Sequence, residues 1–167
     1  MVDVLGDAVV VQSSAYWVEA NRRAVQRAVS GCLEPGQRMV WRRAESRLKQ
    51  DGWDVAAGGE HGEDVTVDPA LEGASNVNLA ALSVRENGVV YEVNAEDGQK
   101  TGFYCDQRDN RAMLRRLVQG KRVLDAYCYT GGFTLNCLLG GAAHVTAIDS
   151  SNPALQVHPT LIALVQI

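Results

Sequence analysis

The sequence lacks the cysteine arrangements that mark a metal site or a disulfide scaffold. Its four cysteines include no C-x-x-C pair, and the N-terminal segment has none of the features of a secretory leader. A small disulfide-rich fold and a ribbon-type zinc site are therefore poorly supported, and we expect reduced thiols and no metal.

Long apolar runs and basic targeting segments are also missing. No apolar stretch approaches the roughly 18 residues of a membrane span, and the first seven residues include Asp3 and Asp7 but no basic side chain. We therefore expect no membrane partner, and a location in the cytoplasm or in an organelle, a plastid or a mitochondrion. The chain has 167 residues, of which 46% are hydrophobic and 22% charged, so it can bury a core.

The net charge of −4 is unevenly distributed along the chain. Residues 51–98 have 11 acidic side chains and 1 basic one, whereas residues 100–122 have 7 basic and 2 acidic. A basic stretch of this kind can bind phosphate groups. When charge is the only evidence, however, a solvated helix face is the more common explanation.

The first 95 residues predict a small mixed α/β domain. Apolar and β-branched patterns predict two strands and one helix, which are Ala8–Gln12, Arg38–Arg43 and Trp17–Ser30. Gly31 is expected to end that helix. Over residues 79–93, two apolar stretches flank Asn87-Gly88, which favours a β-hairpin with a type I′ turn. Residues 56–64 have no periodicity and predict a surface loop with a solvated His61.

Residues 96–155 predict a helix and then the start of a parallel sheet. Asp106 is expected to cap a helix that begins near Gln107 and has one apolar stripe, formed by Met113, Leu114, Leu117 and Val118. A strand, a helix and a second strand then follow, at Val123–Tyr127, Gly131–Leu139 and His144–Ile148. This βαβ pattern implies parallel strands and a right-handed crossover. The predicted fold class is α/β, a small mixed α/β domain followed by the first βαβ part of an incomplete Rossmann-like sheet.

The turn of this βαβ unit has the features of a ligand site. Ligands bind at the carboxyl ends of parallel strands, where glycines allow close approach of the backbone, and Thr130-Gly131-Gly132 lies there. Asp149 ends the second strand, 24 residues after Asp125, and can accept both hydroxyls of a ribose. The turn lacks the G-x-G-x-x-G pattern of a dinucleotide fold, and the bulky Tyr127 and Tyr129 favour a smaller, zwitterionic ligand. An NAD-type oxidoreductase is therefore disfavoured.

Two segments together resemble a known family. The first is QKTGFYCDQRDNR at residues 99–111, and the second is VLDAYCYTGGF at residues 123–133. In this order they resemble the class I S-adenosylmethionine-dependent methyltransferases, and most closely the family that methylates carbon 5 of a cytosine in large-subunit ribosomal RNA. The resemblance covers about residues 1–155, and residues 1–95 are similar to the family's central α/β domain.

The resemblance implies S-adenosylmethionine as the cofactor and ribosomal RNA as the partner of the full-length protein. It implies that Asp125 and the backbone from Tyr129 to Gly132 line the methionine end of the cofactor, while Asp149 holds the ribose. The cofactor-binding residues that it implies are Phe103, Asp106, Arg108, Asp125, Tyr129, Thr130, Gly131, Gly132 and Asp149. The first three of these would line the mouth of the site. When each residue is considered alone, core packing explains Phe103 about as well as cofactor binding does, and a surface ion pair explains Arg108 about as well.

Two cysteines lie inside the motif segments, at Cys105 and Cys128. A cysteine at the buried end of a strand is usually a small apolar side chain rather than a nucleophile. We therefore assign no catalytic residue within this chain.

The chain also departs from the family in ways that predict a fragment. The family's sheet has seven strands, and this chain supplies two of them. No Asp-Pro-Pro occurs in the sequence, and the resemblance places that loop and the cysteine that adds to the base beyond the last residue. Residues 156–167 look like an unrelated tail, in which Pro159 would break the family's next helix. The alternative to a methyltransferase fragment is a non-catalytic RNA- or protein-binding module that keeps the basic helix 107–122.

Overall fold

The computed structural model describes residues 1–53, 65–67 and 78–156. The predicted loop at 56–64 with His61 lies outside the described residues, and so do residues 157–167 of the predicted tail, with Pro159. In the part of the chain that is described, no helix has the length and apolar character needed to cross a membrane.

Two compact units make up the chain, and each consists of two segments. The first unit is Met1–Leu82 with Ala95–Phe103, and the second is Ser83–Asn94 with Tyr104–Ile167. The hairpin was predicted as part of the first 95 residues, whereas most of it belongs to the second unit. The reason is side-chain bonding within that unit, where Glu86 and Tyr91 accept hydrogen bonds from Arg111 and Asn136. The division into domains at 1–95, 96–155 and 156–167 stays a prediction.

The first unit contains a four-stranded sheet and three helices among its described residues. In chain order, the elements of this unit are β1 (Val2–Leu5), β2 (Ala8–Ser13), α1 (Tyr16–Ala20), α2 (Arg22–Ser30), β3 (Arg38–Arg43), α3 (Glu45–Gln50) and β4 (Val65–Val67). The strand order is β1-β2-β3-β4, with β2 and β3 parallel and the two outer pairs antiparallel. The parallel pair requires a crossover connection, which α1 and α2 provide.

One buried cluster of the first unit lies between this sheet and the crossover helices, and Val10 and Val40 on the other face of the sheet are buried as well. Its buried residues and those packed on them are Val11, Met39, Trp41, Val18, Val25, Val29 and Leu33. The single helix predicted for residues 17–30 is wrong, because the helix is interrupted at Asn21, whose φ is −113° and ψ 22°. The Asn21 side-chain amide donates a 2.8 Å hydrogen bond to the carbonyl of Trp17 and so competes with the helical backbone. Gly31 ends α2 as predicted.

The β-hairpin is confirmed, with strands β5 (Leu82–Glu86) and β6 (Val89–Val93). Asn87 and Gly88 both have positive φ angles, 49° and 78°, as a type I′ turn requires. The hairpin is shorter than the predicted 79–93, because Leu79–Ala81 forms a 3₁₀ turn. Buried and exposed side chains alternate along both strands, so one face of the hairpin is covered.

The βαβ unit is confirmed in the second unit of the chain. Its elements, with the helices before and after it, are α4 (Arg108–Leu117), β7 (Arg122–Ala126), α5 (Gly132–Leu139), β8 (His144–Ile148) and α6 (Asn152–Gln156). The two strands are parallel, and Asp125 is opposite Ala147. The carboxyl ends of β7 and β8 therefore meet at one edge of this sheet, as the α/β prediction requires.

The predicted apolar stripe of α4 is correct for only two of its four residues. Leu114 and Val118 pack in the core of the second unit, whereas Met113 is 58% exposed and Leu117 is 61% exposed. The side chain that α4 buries most completely is Arg111, which is charged. A charged side chain can replace an apolar one at such a position because it is paired and hydrogen-bonded there.

The prediction that β7 is a buried strand is also only partly correct. Its side chains alternate between exposed and half-buried, and Leu124 is 64% exposed. Helix α5 contacts both strands of this sheet, and among the described residues β7 pairs only with β8. One face of β7 is therefore open where a complete doubly wound sheet is covered on both faces.

Candidate functional site

The connection from β7 to α5 has an unusual backbone. Tyr127, Tyr129 and Gly131 all have positive φ angles, 62°, 52° and 76°. This left-handed conformation costs a glycine little but is uncommon for a residue with a side chain. Two tyrosines in this conformation within three residues show that the fold imposes the shape of the turn, which is a feature of ligand-binding turns. The side chain of Tyr127 is 90% exposed.

The first turn of α5 offers backbone N–H groups to a ligand. Gly131 is the N-cap residue and has no side chain with which to cap the helix, and the backbone N–H of Thr134 in the first turn is bonded to Asp125. The first N–H groups of a helix have no partner within the helix and lie at the positive end of its dipole. This helix start therefore suits a carboxylate or another small anion.

Asp149 connects the end of β8 to the turn. Its Oδ2 accepts a 2.8 Å hydrogen bond from the N–H of Tyr129, and its Oδ1 accepts one of 2.8 Å from the N–H of Ser151. A carboxylate has about four lone-pair sites, so these two bonds leave acceptor capacity for a ligand. Asp149 thus holds the turn in place and can still bind hydroxyl groups.

Asp125 lies near the end of β7 and is bonded to α5. Its Oδ2 accepts a 2.6 Å hydrogen bond from the Thr134 hydroxyl. Burial raises the pKa of Asp125, and the negative charge of Asp149 raises it further, while the hydrogen bonds from Thr134 oppose the shift. The site therefore contains two carboxyl groups, and the charge of Asp149 acts on Asp125.

Cys128 lies inside the turn as a protonated thiol. It is 7% exposed. Burial raises its pKa to about 11, with a further contribution from the charges of Asp125 and Asp149. A thiolate is the nucleophilic form of cysteine, so this environment does not activate Cys128. The expectation of a small apolar role agrees with this environment.

The structure brings the first motif segment next to this turn. The Tyr104 ring meets the Tyr129 ring edge-to-face, with their centroids 5.5 Å apart. A Cβ atom added at Gly132 would lie 3.4 Å from Cδ of Arg111, so the Arg111 side chain runs directly beside the glycines. The two segments of the resemblance are therefore neighbours in space as well as in sequence.

Arg111 is held by a buried ion pair with the hairpin. Its Nε donates to Glu86 Oε1 at 2.8 Å, its second guanidinium nitrogen donates to Glu86 Oε2 at 2.8 Å, and a third bond of 3.0 Å goes to the carbonyl of Tyr104. Both side chains are 3% exposed. The guanidinium carbon also lies 5.8 Å from the centroid of the Tyr91 ring. This paired geometry fixes the side chain that supports the glycine turn.

The described residues contain no group of three or more histidine, cysteine or acidic side chains that could hold a metal ion. The ligating chemistry of the turn consists of backbone N–H groups and two carboxylates. These groups fit a small zwitterion that is joined to a ribose, because they offer donors to its carboxylate and acceptors to its ammonium and hydroxyl groups.

The sequence profile of the S-adenosylmethionine-dependent methyltransferase family matches residues 18–158. The chain belongs to this family. The matched region includes both motif segments and the βαβ unit. Among the curated proteins, the chain is 36% identical over 156 residues to ribosomal RNA large subunit methyltransferase I of Klebsiella pneumoniae and 34% identical to its Escherichia coli namesake. Each match covers 93% of this chain and 36% of the relative, so the chain spans about a third of the length of the curated relatives it matches.

Solved structures show the same fold. A Streptococcus mutans protein described as a methyltransferase dependent on S-adenosylmethionine superposes with a TM-score of 0.73 at 21% identity, over 98% of this chain and 38% of that one. A tRNA m1G37 methyltransferase from M. jannaschii superposes with a TM-score of 0.63 at 20% identity, over 98% and 42% of the two chains. These likenesses confirm the predicted α/β, Rossmann-like fold class.

The structure places six of the nine predicted cofactor-binding residues of this methyltransferase family member around the turn. They are Asp125, Tyr129, Thr130, Gly131, Gly132 and Asp149. The other three belong to the first motif. Phe103 is buried, at 4% exposure, and Arg108 is exposed and forms a 3.4 Å ion pair with Glu86. All nine roles in cofactor binding stay predictions.

The predicted capping role of Asp106 is wrong. Asp106 lies in the 3₁₀ turn Cys105–Gln107, and α4 begins after it with Gln107 as the N-cap residue and no side-chain cap. The tight turn shifts the helix start by one residue, so Asp106 no longer occupies the position from which a carboxylate caps. Its side chain is exposed.

Sequence reasoning missed three side chains that shape the site, namely Glu86, Arg111 and Thr134. Arg111 is the last residue of the first motif segment. The signal that could have identified it is its position, since it is a charged residue on the inner side of α4. Thr134 follows the glycines by two residues and faces Asp125. Glu86 had no sequence signal, because it lies on a hairpin 25 residues before its partner.

Proposed function

We propose that this chain binds S-adenosylmethionine and forms the cofactor-binding part of a methyltransferase that acts on large-subunit ribosomal RNA. The observation that carries the proposal is the convergence of the two motif segments on one turn. Tyr104 and Arg111 from the first segment contact Tyr129 and Gly132 from the second. This convergence forms a turn with a glycine at the helix N-cap and two carboxylates, and the family match is consistent with it.

Each group of the turn has a distinct task in this proposal. The N–H groups at the start of α5 bind the carboxylate of the methionine part, and Asp125 accepts hydrogen bonds from its ammonium group. Asp149 accepts the ribose hydroxyls while it keeps its two backbone bonds. The buried pair of Glu86 and Arg111 holds the glycines in position. When bound, the cofactor supplies a methyl group on a positively charged sulfur.

The substrate class follows from the relatives. The curated relatives are named ribosomal RNA large subunit methyltransferase I, and one solved neighbour is a complex of a related fold with tRNA. We propose carbon 5 of a cytosine as the methyl acceptor, because the two motif segments most resemble that family. The thiolate that adds to the base would lie in the part of the relatives that this chain does not span, since the environment of Cys128 keeps its thiol protonated.

A titration of this chain with S-adenosylmethionine, with an Asp149→Ala variant beside it, tests the proposal. If Asp149 accepts the ribose hydroxyls, its loss removes charged hydrogen bonds of roughly 1.5–3 kcal/mol, and the affinity falls by about 10- to 150-fold. Isothermal titration calorimetry measures the affinity, and thermal melting measures the stability of the same samples.

Ser151→Ala is the matched control for this test. It removes the hydroxyl that accepts a 3.4 Å hydrogen bond from the N–H of Ala154, but it keeps both backbone bonds to Asp149. We expect it to lower the melting temperature slightly and to leave cofactor affinity unchanged. An Asp149→Ala protein that melts lower but binds S-adenosylmethionine as tightly as the parent would refute the ribose assignment. A parent chain that does not bind the cofactor would refute the proposed function and favour the non-catalytic binding module.

A further inference from the structure

A groove of about 620 Å³ lies in the second unit, between the hairpin turn, α4 and α5. Its polar lining residues are Asn87, Asp109, Arg115, Arg116 and Asn136, and Ala112, Leu139 and Gly140 line the rest. The amide of Asn136 already donates to Tyr91 and Gly132, so the two guanidinium groups and the Asn87 amide are the donors that an acceptor-rich ligand would meet. Neither the predicted cofactor residues nor the ion pair of Glu86 and Arg111 line it.

The arginines of this groove have donors available. Arg116 is exposed and has no ion pair among the described residues. The side chain of Arg115 donates a long, 3.5 Å hydrogen bond to the carbonyl of Asn87. Asp109 is the one acidic residue among the described residues that line the groove. The groove therefore has a net positive charge without being neutralised by ion pairs.

The positive charge continues beyond the groove. Gly120 donates a 2.8 Å hydrogen bond to the carbonyl of Gly141, next to the Gly140 end of the groove, and the exposed Lys121 and Arg122 follow in sequence. No acidic residue occurs between residues 110 and 124. The second half of α4 and the residues after it thus form a basic strip beside the groove.

We infer that this groove binds the phosphate backbone of the RNA substrate, with Arg115 and Arg116 as the contacting residues. Guanidinium groups bind phosphate oxygens through paired hydrogen bonds and stay charged at all relevant pH values. The inference rests on the proposed function for the identity of the partner, and it adds the surface that the partner contacts. Asn87 can donate a further bond from the hairpin turn.

The arginine end of the groove is remote from the turn that is proposed to bind the cofactor, because Arg115 lies beside Gly140. Asn136, which also lines the groove, donates a 2.8 Å hydrogen bond to the carbonyl of Gly132 in that turn. Gly131 is at the start of α5 and Gly140 is just after its end, so about eight residues, or roughly 12 Å, lie between the two. An RNA strand is long enough to contact the groove while its target base lies elsewhere. Changes at Arg115 and Arg116 are therefore expected to leave cofactor affinity unchanged.

The experiment compares RNA binding by the parent chain and by the double variant Arg115→Ala/Arg116→Ala. The probe is a fluorescein-labelled fragment of large-subunit ribosomal RNA, and fluorescence anisotropy gives the affinity at several salt concentrations. Each phosphate contact contributes about 0.7 to the slope of log affinity against log salt for a single strand, so the variant should lose about 1.4 of this slope and about 10-fold or more in affinity.

Two further variants make the result specific to the groove. Arg27→Ala/Arg47→Ala removes the same charge from two exposed arginines of the first unit, neither of which has an ion pair in the described part of the chain. It should change the affinity by less than about threefold, because exposed charges outside the groove are screened by salt. Arg116→Glu reverses one exposed charge without touching the core, and it should weaken binding even if the double variant folds poorly.

The outcomes separate this inference from the proposed function. Loss of RNA affinity in the groove variants, with the control unchanged and calorimetric binding of S-adenosylmethionine intact, supports both. Equal RNA affinity in the parent and the groove variants overturns the inference, and so does an equal loss in the control or a parent chain that binds no RNA. Failure of the parent to bind S-adenosylmethionine overturns the proposed function, whatever the RNA result.

Discussion

Burial raises the pKa of Asp125 and that of Cys128, and each shift has its own consequence. The low polarity around each side chain disfavours its charged form, and the neighbouring negative charges add to the effect. Cys128 is consequently a neutral thiol at neutral pH. Asp125 is protonated at a higher pH than an ordinary aspartate.

The first residue-scale prediction concerns thiol reactivity. Cys32 is exposed, whereas Cys128 is buried with a pKa of about 11. Alkylation of the folded chain with iodoacetamide at pH 8 should modify Cys32 and leave Cys128 unmodified, because the thiolate is the reactive form. Mass spectrometry of peptides reports both sites. Equal labelling of the two cysteines in the folded protein would contradict the environment assigned to Cys128.

The second residue-scale prediction concerns the pH dependence of cofactor binding. Because its pKa is raised, Asp125 takes up a proton at a higher pH than an ordinary aspartate. Below this raised pKa, the affinity for S-adenosylmethionine should fall by about tenfold per pH unit. Thr134→Val removes a hydrogen bond that lowers this pKa, so the fall should begin at a higher pH. Calorimetric titrations across the pH range measure the midpoint.

Thr146→Val is the control for the Asp125 measurement. Its hydroxyl bonds to His144 and is not among the groups that shift the pKa of Asp125. The midpoint in this variant should equal that of the parent. If Thr134→Val also left the midpoint unchanged, Asp125 would not be the group that controls cofactor binding.

At the scale of elements, the contact between α4 and α5 depends on one glycine. A Cβ atom at Gly140 would collide with the backbone carbonyl of Arg115 and lie 2.7 Å from Cγ2 of Val118. Gly140 has a negative φ, so the requirement for glycine comes from close packing and not from backbone conformation. The end of α5 can approach α4 this closely because no side chain separates them.

Gly140→Ala should therefore lower the free energy of unfolding by about 1–3 kcal/mol, since the helices must move apart. Gly31→Ala is the matched control, because its added Cβ would meet the nearest backbone atom at an ordinary 3.5 Å and its φ is also negative. That change should be neutral or stabilise by up to about 1 kcal/mol. Urea denaturation compares the two. Equal stability of both variants would show that α4 and α5 do not pack this closely.

At the scale of the whole molecule, the described fold contains the turn that is proposed to bind the cofactor, and the thiol of Cys128 in that turn is not activated. The sequence contains no Asp-Pro-Pro. The exposed face of β7 with Leu124 shows that this part of the sheet can accommodate further covering elements. The described residues thus include the turn that is proposed to bind the cofactor, and the environment of Cys128 does not supply a nucleophile.

We predict that this chain alone transfers no methyl group to ribosomal RNA. Without a positioned thiolate there is no covalent route to carbon 5 of the base. Incubation with S-adenosylmethionine that carries a labelled methyl group and with unmodified ribosomal RNA tests this, with the Escherichia coli ribosomal RNA large subunit methyltransferase I as the positive control. Label in the RNA above the level of a reaction without protein would contradict the prediction.

The sequence alone determined the local elements and the family. Local signals were sufficient to predict the strands β2 and β3, the Asn87-Gly88 turn and the βαβ unit. The alternation of apolar and polar residues, the preference of Asn-Gly for positive φ angles and the positions of glycines each depend on only a few neighbouring residues. The two motif segments indicated the cofactor turn for the same reason. The break at Asn21 escaped prediction, since there a side-chain bond to Trp17 competes with a helical pattern.

Only the tertiary structure decided which side chains support the site and where the units divide. The pairing of Glu86 with Arg111 joins the hairpin to the second unit, and it depends on geometry between residues 25 positions apart. The exposure of Met113 and Leu117 on α4 likewise follows from which face of the helix meets its neighbours. Long-range contacts of this kind depend on packing, and no local pattern encodes them.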